Sequence, residues 1–201
     1  AADEKTRLRK PGDLDFKYRV PPFLQWALLR LQRAGSGMPA PVRLTMLADG
    51  EPDLAMQANA WDERYCQTGE AGRAAMEGDL RRRVRALAGL WQAGREGASW
   101  FYPGAGWAAM KALQKMGGSM EDAKTAAAIA SAVGSGWSSD FNASSGERNY
   151  APGFARLLEG DLFFGDPESD PDAAALRALA EDARLVNELI TLEDHAVEEA
   201  E

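Results

Sequence analysis

Residues Glu70–Glu96 read EAGRAAMEGDLRRRVRALAGLWQAGRE, and this stretch decides the fold. Its large apolar side chains recur at steps of three and four positions, which on a helix places them on one stripe facing a core. The stripe consists of Met76, Leu80, Val84, Leu87 and Trp91. The arginines on the opposite side are Arg81, Arg82 and Arg85. The pattern therefore predicts a long amphipathic helix with one apolar face and one basic face.

The remainder of the chain predicts further helices. Proline suits the first turn of a helix, so Pro21-Pro22 predicts a helix start. Asp170-Pro171-Asp172 predicts the start of a long C-terminal helix, because an acceptor, a proline and an acid follow one another there. These segments predict a single all-α domain of about six or seven helices over residues 21–201. Residues 1–20 carry many charges and little apolar periodicity, which predicts a polar N-terminal arm or tail.

Residues 39–49 have two interpretations. Val42, Leu44 and Met46 alternate with other residues as in a strand. The segment is short and bounded by prolines, however, so a helical turn beginning at Pro41 fits equally well. The sequence alone leaves both open.

Composition excludes several partners. The net charge of −8 opposes general binding to phosphates, so no nucleic acid is expected as a partner. No apolar run approaches the length of a membrane span, and no membrane partner is expected. One cysteine, Cys66, excludes an intramolecular disulfide and fits a cytoplasmic location, with a removed signal peptide as the alternative. The abundance of alanine, arginine, glycine and aspartate is typical of a GC-rich bacterial genome.

The residue inventory predicts no metal ion and no cofactor. His195 is the single histidine and lies among acids on a predicted polar helix face, while Cys66 is interpreted as a buried or half-buried small residue. One cysteine and one histidine are too few ligands for a zinc site. The carboxylates of residues 166–172 resemble a calcium loop, but Pro171 stands where such a loop needs glycine. A capped helix start explains these acids better.

Two alternatives compete with a binding function. A glycoside hydrolase that uses two carboxylates needs no histidine, and Glu96 is the candidate acid because it lies near Trp91 and the Trp100-Phe101-Tyr102 cluster. Tryptophans at helical spacing are more simply core residues, so this enzyme is the weaker hypothesis. The second alternative is a structural component of a phage or mobile element.

The favoured hypothesis is a non-enzymatic protein–protein interaction module, such as an adaptor, an accessory subunit or an immunity-protein-like inhibitor. Residues 134–151 are predicted to form a long Gly/Ser-rich loop, and a loop of this length is functional or mobile. Its aromatic residues Trp137, Phe141 and Tyr150 are candidate contact residues. The basic residues Arg81, Arg82 and Arg85 fit a solvated or salt-bridged helix face, and they are also candidates for contact with an acidic protein.

The C-terminal helix supplies the third candidate surface. One apolar stripe consists of Leu176, Leu179, Ala183, Val186 and Ile190. A second ridge of Leu185, Leu189 and Leu192 lies roughly 120–140° around the helix and would suit a partner helix or a second copy of this chain. The alternative is a central helix that buries both faces. Acids near its C-terminal end oppose the helix dipole, so the last turns should fray unless a basic group, such as the Arg81–Arg85 patch, docks there.

Overall fold

A computed structural model describes residues 14–34, 40–46, 52–96, 103–117, 122–138 and 173–192. These residues contain helices and no strand, which confirms the predicted all-α fold. The helices are α1 (Phe16–Ala34), α2 (Asp53–Gln67), α3 (Glu70–Glu96), α4 (Pro103–Met116), α5 (Ala123–Ser138) and α6 (Ala173–Ile190). Within this part of the chain, no helix combines the length and apolar character needed to cross a membrane.

The chain divides into two compact units. The first comprises residues 1–92 together with 188–201, and the second comprises residues 93–187. The single domain predicted over residues 21–201 stays a prediction.

Helix α1 begins earlier than predicted. It starts at Phe16 rather than at Pro21, and both prolines lie inside it. Asp15 caps the start, because its Oδ1 accepts a hydrogen bond of 3.0 Å from the Lys17 amide. Leu14 and Phe16 are buried, and this anchoring outweighs the backbone hydrogen bonds that the prolines cannot donate. Residues 14–20 therefore belong to the folded part of the chain, while residues 1–13 of the predicted arm lie outside the described residues.

Helix α3 spans Glu70–Glu96, the stretch that the sequence singles out, and its apolar stripe is buried over its central part. Leu80 and Leu87 are buried, and Met76 and Val84 are half-buried. The assignment of Trp91 to the same buried stripe is wrong, since this side chain is 67% exposed. Periodicity fixes the direction of a side chain, but it does not fix how far along the helix the neighbouring elements extend.

The second unit has a core of small and branched side chains. Helix α4 packs against α5, and alanines in their contact face let the two backbones approach closely. The buried cluster consists of Ala105, Ala109, Ile129, Val133, Leu176, Leu179 and Ala180. Asp122 begins α5 by accepting hydrogen bonds from the amide and the hydroxyl of Thr125, at 3.2 and 2.9 Å.

Residues 40–46 form neither a strand nor a helical turn. The segment has no regular secondary structure, and side chains of α1 and α2 hydrogen-bond to its backbone. The Trp26 indole donates to the Val42 carbonyl at 3.0 Å. The Asn59 amide accepts from the Leu44 N–H at 2.9 Å and donates to the Leu44 carbonyl at 3.1 Å. Burial therefore alternates along residues 41–46 as it would in a strand. The backbone is hydrogen-bonded to side chains of α1 and α2, however, and not to a second strand.

Candidate functional site

The arginine face is the exposed side of α3 that carries Arg81, Arg82 and Arg85. All three side chains are exposed, as the sequence predicts. Arg81 Nη2 lies 3.1 Å from Glu77 Oε2, and Arg82 pairs with Asp79. Among the residues that the structure describes, Arg85 has no hydrogen bond or ion pair. Within the described ranges, the face therefore presents two paired arginines and one arginine without an ion pair.

Small residues surround these arginines. Gly78 and Gly89 are exposed, and a Cβ atom placed on either one would meet nothing within 4 Å. Neither glycine therefore serves a packing contact among the described residues. Each costs the helix about 1 kcal/mol relative to alanine. The exposed alanines on the same face are Ala71, Ala74, Ala75, Ala88 and Ala93.

Arg83 points the other way and is buried, which the sequence analysis did not predict. Its Nε donates to Asp79 Oδ2 at 2.6 Å. Its Nη1 donates to the backbone carbonyls of Glu188, Leu189 and Thr191 at 2.8, 3.2 and 2.9 Å. Arg83 thus binds the carbonyls that a helix end leaves unpaired and places a cation at the negative end of the α6 dipole.

The predicted docking of a basic group concerned acidic turns beyond residue 192, which lie outside the described residues; α6 ends earlier, at Ile190, and there Arg83 of the Arg81–Arg85 patch binds the carbonyls. The signal was present in the sequence, because position 83 lies between Leu80 and Leu87 on the buried side. Partial burial raises the pKa of Asp79, but hydrogen bonds from Arg83 and Arg82 outweigh it. The net pKa of Asp79 is lowered from its ordinary value of 3.8.

The predicted exposed ridge on α6 is wrong at two of its three positions. Leu189 and Leu192 are 6% and 4% exposed, while Leu185 is 38% exposed. The Leu192 amide donates to Gln57 Oε1 at 3.1 Å, so α2 holds the segment that follows α6. This favours the alternative in which α6 buries both of its apolar faces. The three leucines do not form an exposed ridge that a partner could contact. The first stripe, from Leu176 to Ile190, is buried as predicted.

Other candidate residues lie outside the described side chains. The predicted 134–151 loop begins too early, since α5 continues to Ser138. The alanine-rich run before Gly134 propagates the helix, and glycine raises the cost of helix without forbidding it. The side chains of Trp137, Phe141, Tyr150, Glu96 and His195 are outside the described residues.

A buried ion pair between α1 and α2 is the second feature that the sequence analysis missed. Arg30 is fully buried, and its Nη1 lies 3.1 Å from Asp62 Oδ1 and 2.9 Å from the Ala40 carbonyl. Asp62 Oδ2 accepts from the Val42 amide at 2.6 Å. The guanidinium lies 4.3 Å from the centre of the Tyr65 ring. Within the described part of the chain, Arg30 Nε and Nη2 have no hydrogen-bond partner.

Tyr65 connects this pair to the arginine face. Its hydroxyl donates to Glu77 Oε1 at 2.7 Å, and Glu77 in turn pairs with Arg81. Burial, followed by the hydrogen bond and charge of Glu77, raises the pKa of Tyr65. The buried network therefore fixes Glu77, the acid that borders the arginine face.

Cys66 belongs to the same network. The side chain is half-buried, as predicted, and its Sγ lies 4.0 Å from Asp62 Oδ2. Burial, with the charge of Asp62, raises the pKa of the thiol from its ordinary value of 9.0. The thiol is therefore protonated at neutral pH, which is unsuitable for a nucleophile.

Cys66 is expected to react more slowly with iodoacetamide in the native protein than in the urea-unfolded protein at pH 7.5. The reason is that the thiolate is the reacting form, and the native site disfavours it. The rate rises with pH in both states as more thiolate forms, and the native rate should still be climbing above pH 9.0, the ordinary pKa that the site exceeds. Mass spectrometry of timed, quenched samples measures both rates, and equal rates at pH 7.5 would contradict the assignment.

Across the described ranges, no group of three or more histidine, cysteine, aspartate or glutamate side chains is arranged to hold a metal ion. No known protein family, curated protein or solved structure matches this chain.

Proposed function

We propose that this protein is a non-enzymatic interaction module that binds an acidic surface of another protein through the arginine face. The observation that carries the proposal is the exposure of Arg81, Arg82 and Arg85 on one helix, where Arg85 has no ion pair with any described residue. Exposed charges of one sign accelerate encounter with a complementary surface and orient it. Arginine also forms bidentate pairs with carboxylates.

The folded core supports such a role by holding the face in place. Leu80 and Arg83 anchor the buried side of α3, so the exposed arginines project from a rigid element. Glu77 and Asp79 pair with Arg81 and Arg82 at the borders of the face and keep their side chains extended along the helix. A partner then finds the charges preorganised, which lowers the entropy cost of binding.

A selection from a phage-displayed library of small helical domains with randomised surfaces tests the proposal. Binders selected on the wild-type protein are expected to be enriched in aspartate and glutamate. The triple variant Arg81→Gln, Arg82→Gln, Arg85→Gln should bind them about tenfold or more weakly, because each exposed pair contributes roughly 0.2–1 kcal/mol. Surface plasmon resonance at several salt concentrations measures the affinities.

The matched control is Arg43→Gln, Arg177→Gln, Arg184→Gln, which removes the same charge from other exposed positions. It should retain wild-type affinity. Equal loss in both variants, or selected binders without acidic enrichment, would contradict binding through the arginine face.

A further inference from the structure

The arginine face has a shape as well as a charge. Gly78 and Gly89 lie on the same exposed side as Arg82 and Arg85, and no atom of the described residues lies within 4 Å of a Cβ built on either glycine. Gly72 provides the contrast, because a Cβ atom there would collide with the Thr68 side chain. Gly72 is therefore explained by packing within the chain, whereas Gly78 and Gly89 are not.

We propose that this face receives an acidic α-helix of a partner protein at close backbone approach. The inference rests on the proposed function and specifies its partner. The distance between two packed helix axes depends on the side chains at the contact, and glycine permits the shortest distance. Gly78 and Gly89 are depressions into which apolar side chains of the partner fit, and the arginines between them meet its carboxylates.

The spacing defines the length of the partner segment. Gly78 and Gly89 are eleven positions apart. At about 1.5 Å per residue the two depressions lie about 16 Å apart, which is three helical turns. The partner helix therefore needs at least three turns in contact, with apolar residues near the two ends and acids between them. An extended peptide or a single carboxylate would not fill both depressions.

Charge complementarity selects an acidic partner over other helices. The exposed side of α3 between the two glycines carries Arg81, Arg82 and Arg85, while the neighbouring acids Glu77 and Asp79 are half-buried at its borders. Like-charge contact would exclude a basic helix. The acidic helix is thus the occupant that both the charge and the shape of the face accept.

The double variant Gly78→Leu, Gly89→Leu tests the shape while it leaves every arginine in place. Neither glycine has a positive φ angle, so leucine fits the backbone without strain. Leucine also favours helix over glycine, so the melting temperature should rise rather than fall. The probe is an acidic helical domain from the selection described above. Its affinity for the double variant should fall by about tenfold or more, because leucine fills the space that the partner needs.

Two comparisons show whether a loss of affinity comes from filling the space above the glycines. One excludes a general effect of added bulk, and the other distinguishes this inference from the proposed function. Ala60→Leu adds similar bulk to the exposed side of α2 and should bind as wild type does. If the arginine variant loses binding and Gly78→Leu, Gly89→Leu retains it, the close helix approach is wrong and the proposed function stands. If both retain binding, both are wrong. An extended acidic peptide that binds the face as tightly as the helical probe, or displacement of the probe by duplex DNA, would also overturn the acidic helix as the occupant.

Discussion

Replacement of Asp62 by alanine is expected to lower the free energy of unfolding by about 3–5 kcal/mol, because it leaves a buried cation without its counter-charge. Arg30 is fully buried, and Asp62 is its paired carboxylate among the described residues. The Val42 amide would lose its acceptor as well, so residues 40–46 would lose one of their anchors to α2. Equilibrium urea unfolding measures the change.

Two controls show whether the burial of the ion pair causes the loss of stability in Asp62→Ala. Glu63→Ala breaks the pair of Glu63 with Arg43, which joins α2 to residues 40–46. Both of those side chains are exposed, so the variant should lose no more than about 1 kcal/mol of stability. The double variant Arg30→Met, Asp62→Leu removes both charges and should recover much of the stability lost in Asp62→Ala. If Asp62→Ala costs no more than Glu63→Ala, the buried pair does not stabilise the fold.

Replacement of Arg83 by alanine is expected to lower the free energy of unfolding by about 2–3 kcal/mol, the range for lost hydrogen bonds to charged groups. Three carbonyls at the end of α6 and the carboxylate of Asp79 would lose their shared donor. The lost stability should appear in the whole protein and also in the local opening of α6. Hydrogen exchange should show earlier opening of the last turn of α6, near Ile190, than in the wild type.

Arg82→Ala and Arg85→Ala are the matched controls for Arg83, because they stand on the same helix but are exposed. Each should change stability by no more than about 0.5 kcal/mol. A loss in Arg83→Ala as small as theirs, with unchanged exchange in α6, would show that the carbonyl contacts contribute nothing.

Acid titration gives an independent measure of the Asp79–Arg83 contact. The pKa of Asp79 is lowered in the folded protein, so this carboxylate stabilises the fold at pH values above its ordinary pKa of 3.8. The contribution is lost as the pH falls through the lower pKa of the folded state. Arg83→Ala removes much of that lowering, so the stability of the variant should depend less steeply on acid pH than that of the wild type.

The spacing of residues along the sequence predicted which segments are helical better than it predicted which side chains are buried. The apolar spacing within residues 70–96 predicted that α3 is a helix and that Arg81, Arg82 and Arg85 are exposed, because side-chain direction on a helix follows directly from position. The same reasoning placed Trp91 in the core and failed, since burial depends on which elements lie opposite. The start of α1 was missed because a proline pair outweighed the weaker signal of Asp15 as a cap.

The buried charges were missed for a different reason. Arg30 follows Phe23 and Trp26 on one helix face, and Asp62 falls next to Ala58 and Trp61 on another, so both charges occupy positions that apolar periodicity marks as buried. A charged residue at such a position signals a buried pair. Its partner lies 32 positions away in another helix, and a single sequence contains no rule that joins the two.

The order in which a ribosome releases the chain gives the Arg83 contacts a further consequence. Arg83 meets its carbonyl acceptors 105 to 108 positions downstream in the chain. At about 5–20 residues per second, α3 therefore waits on the order of 5–20 seconds for these partners. A nascent chain leaves the Arg83 guanidinium without these three acceptors throughout that interval. Packing around Arg83 is thus expected to be complete only after residues 188–191 have left the ribosome.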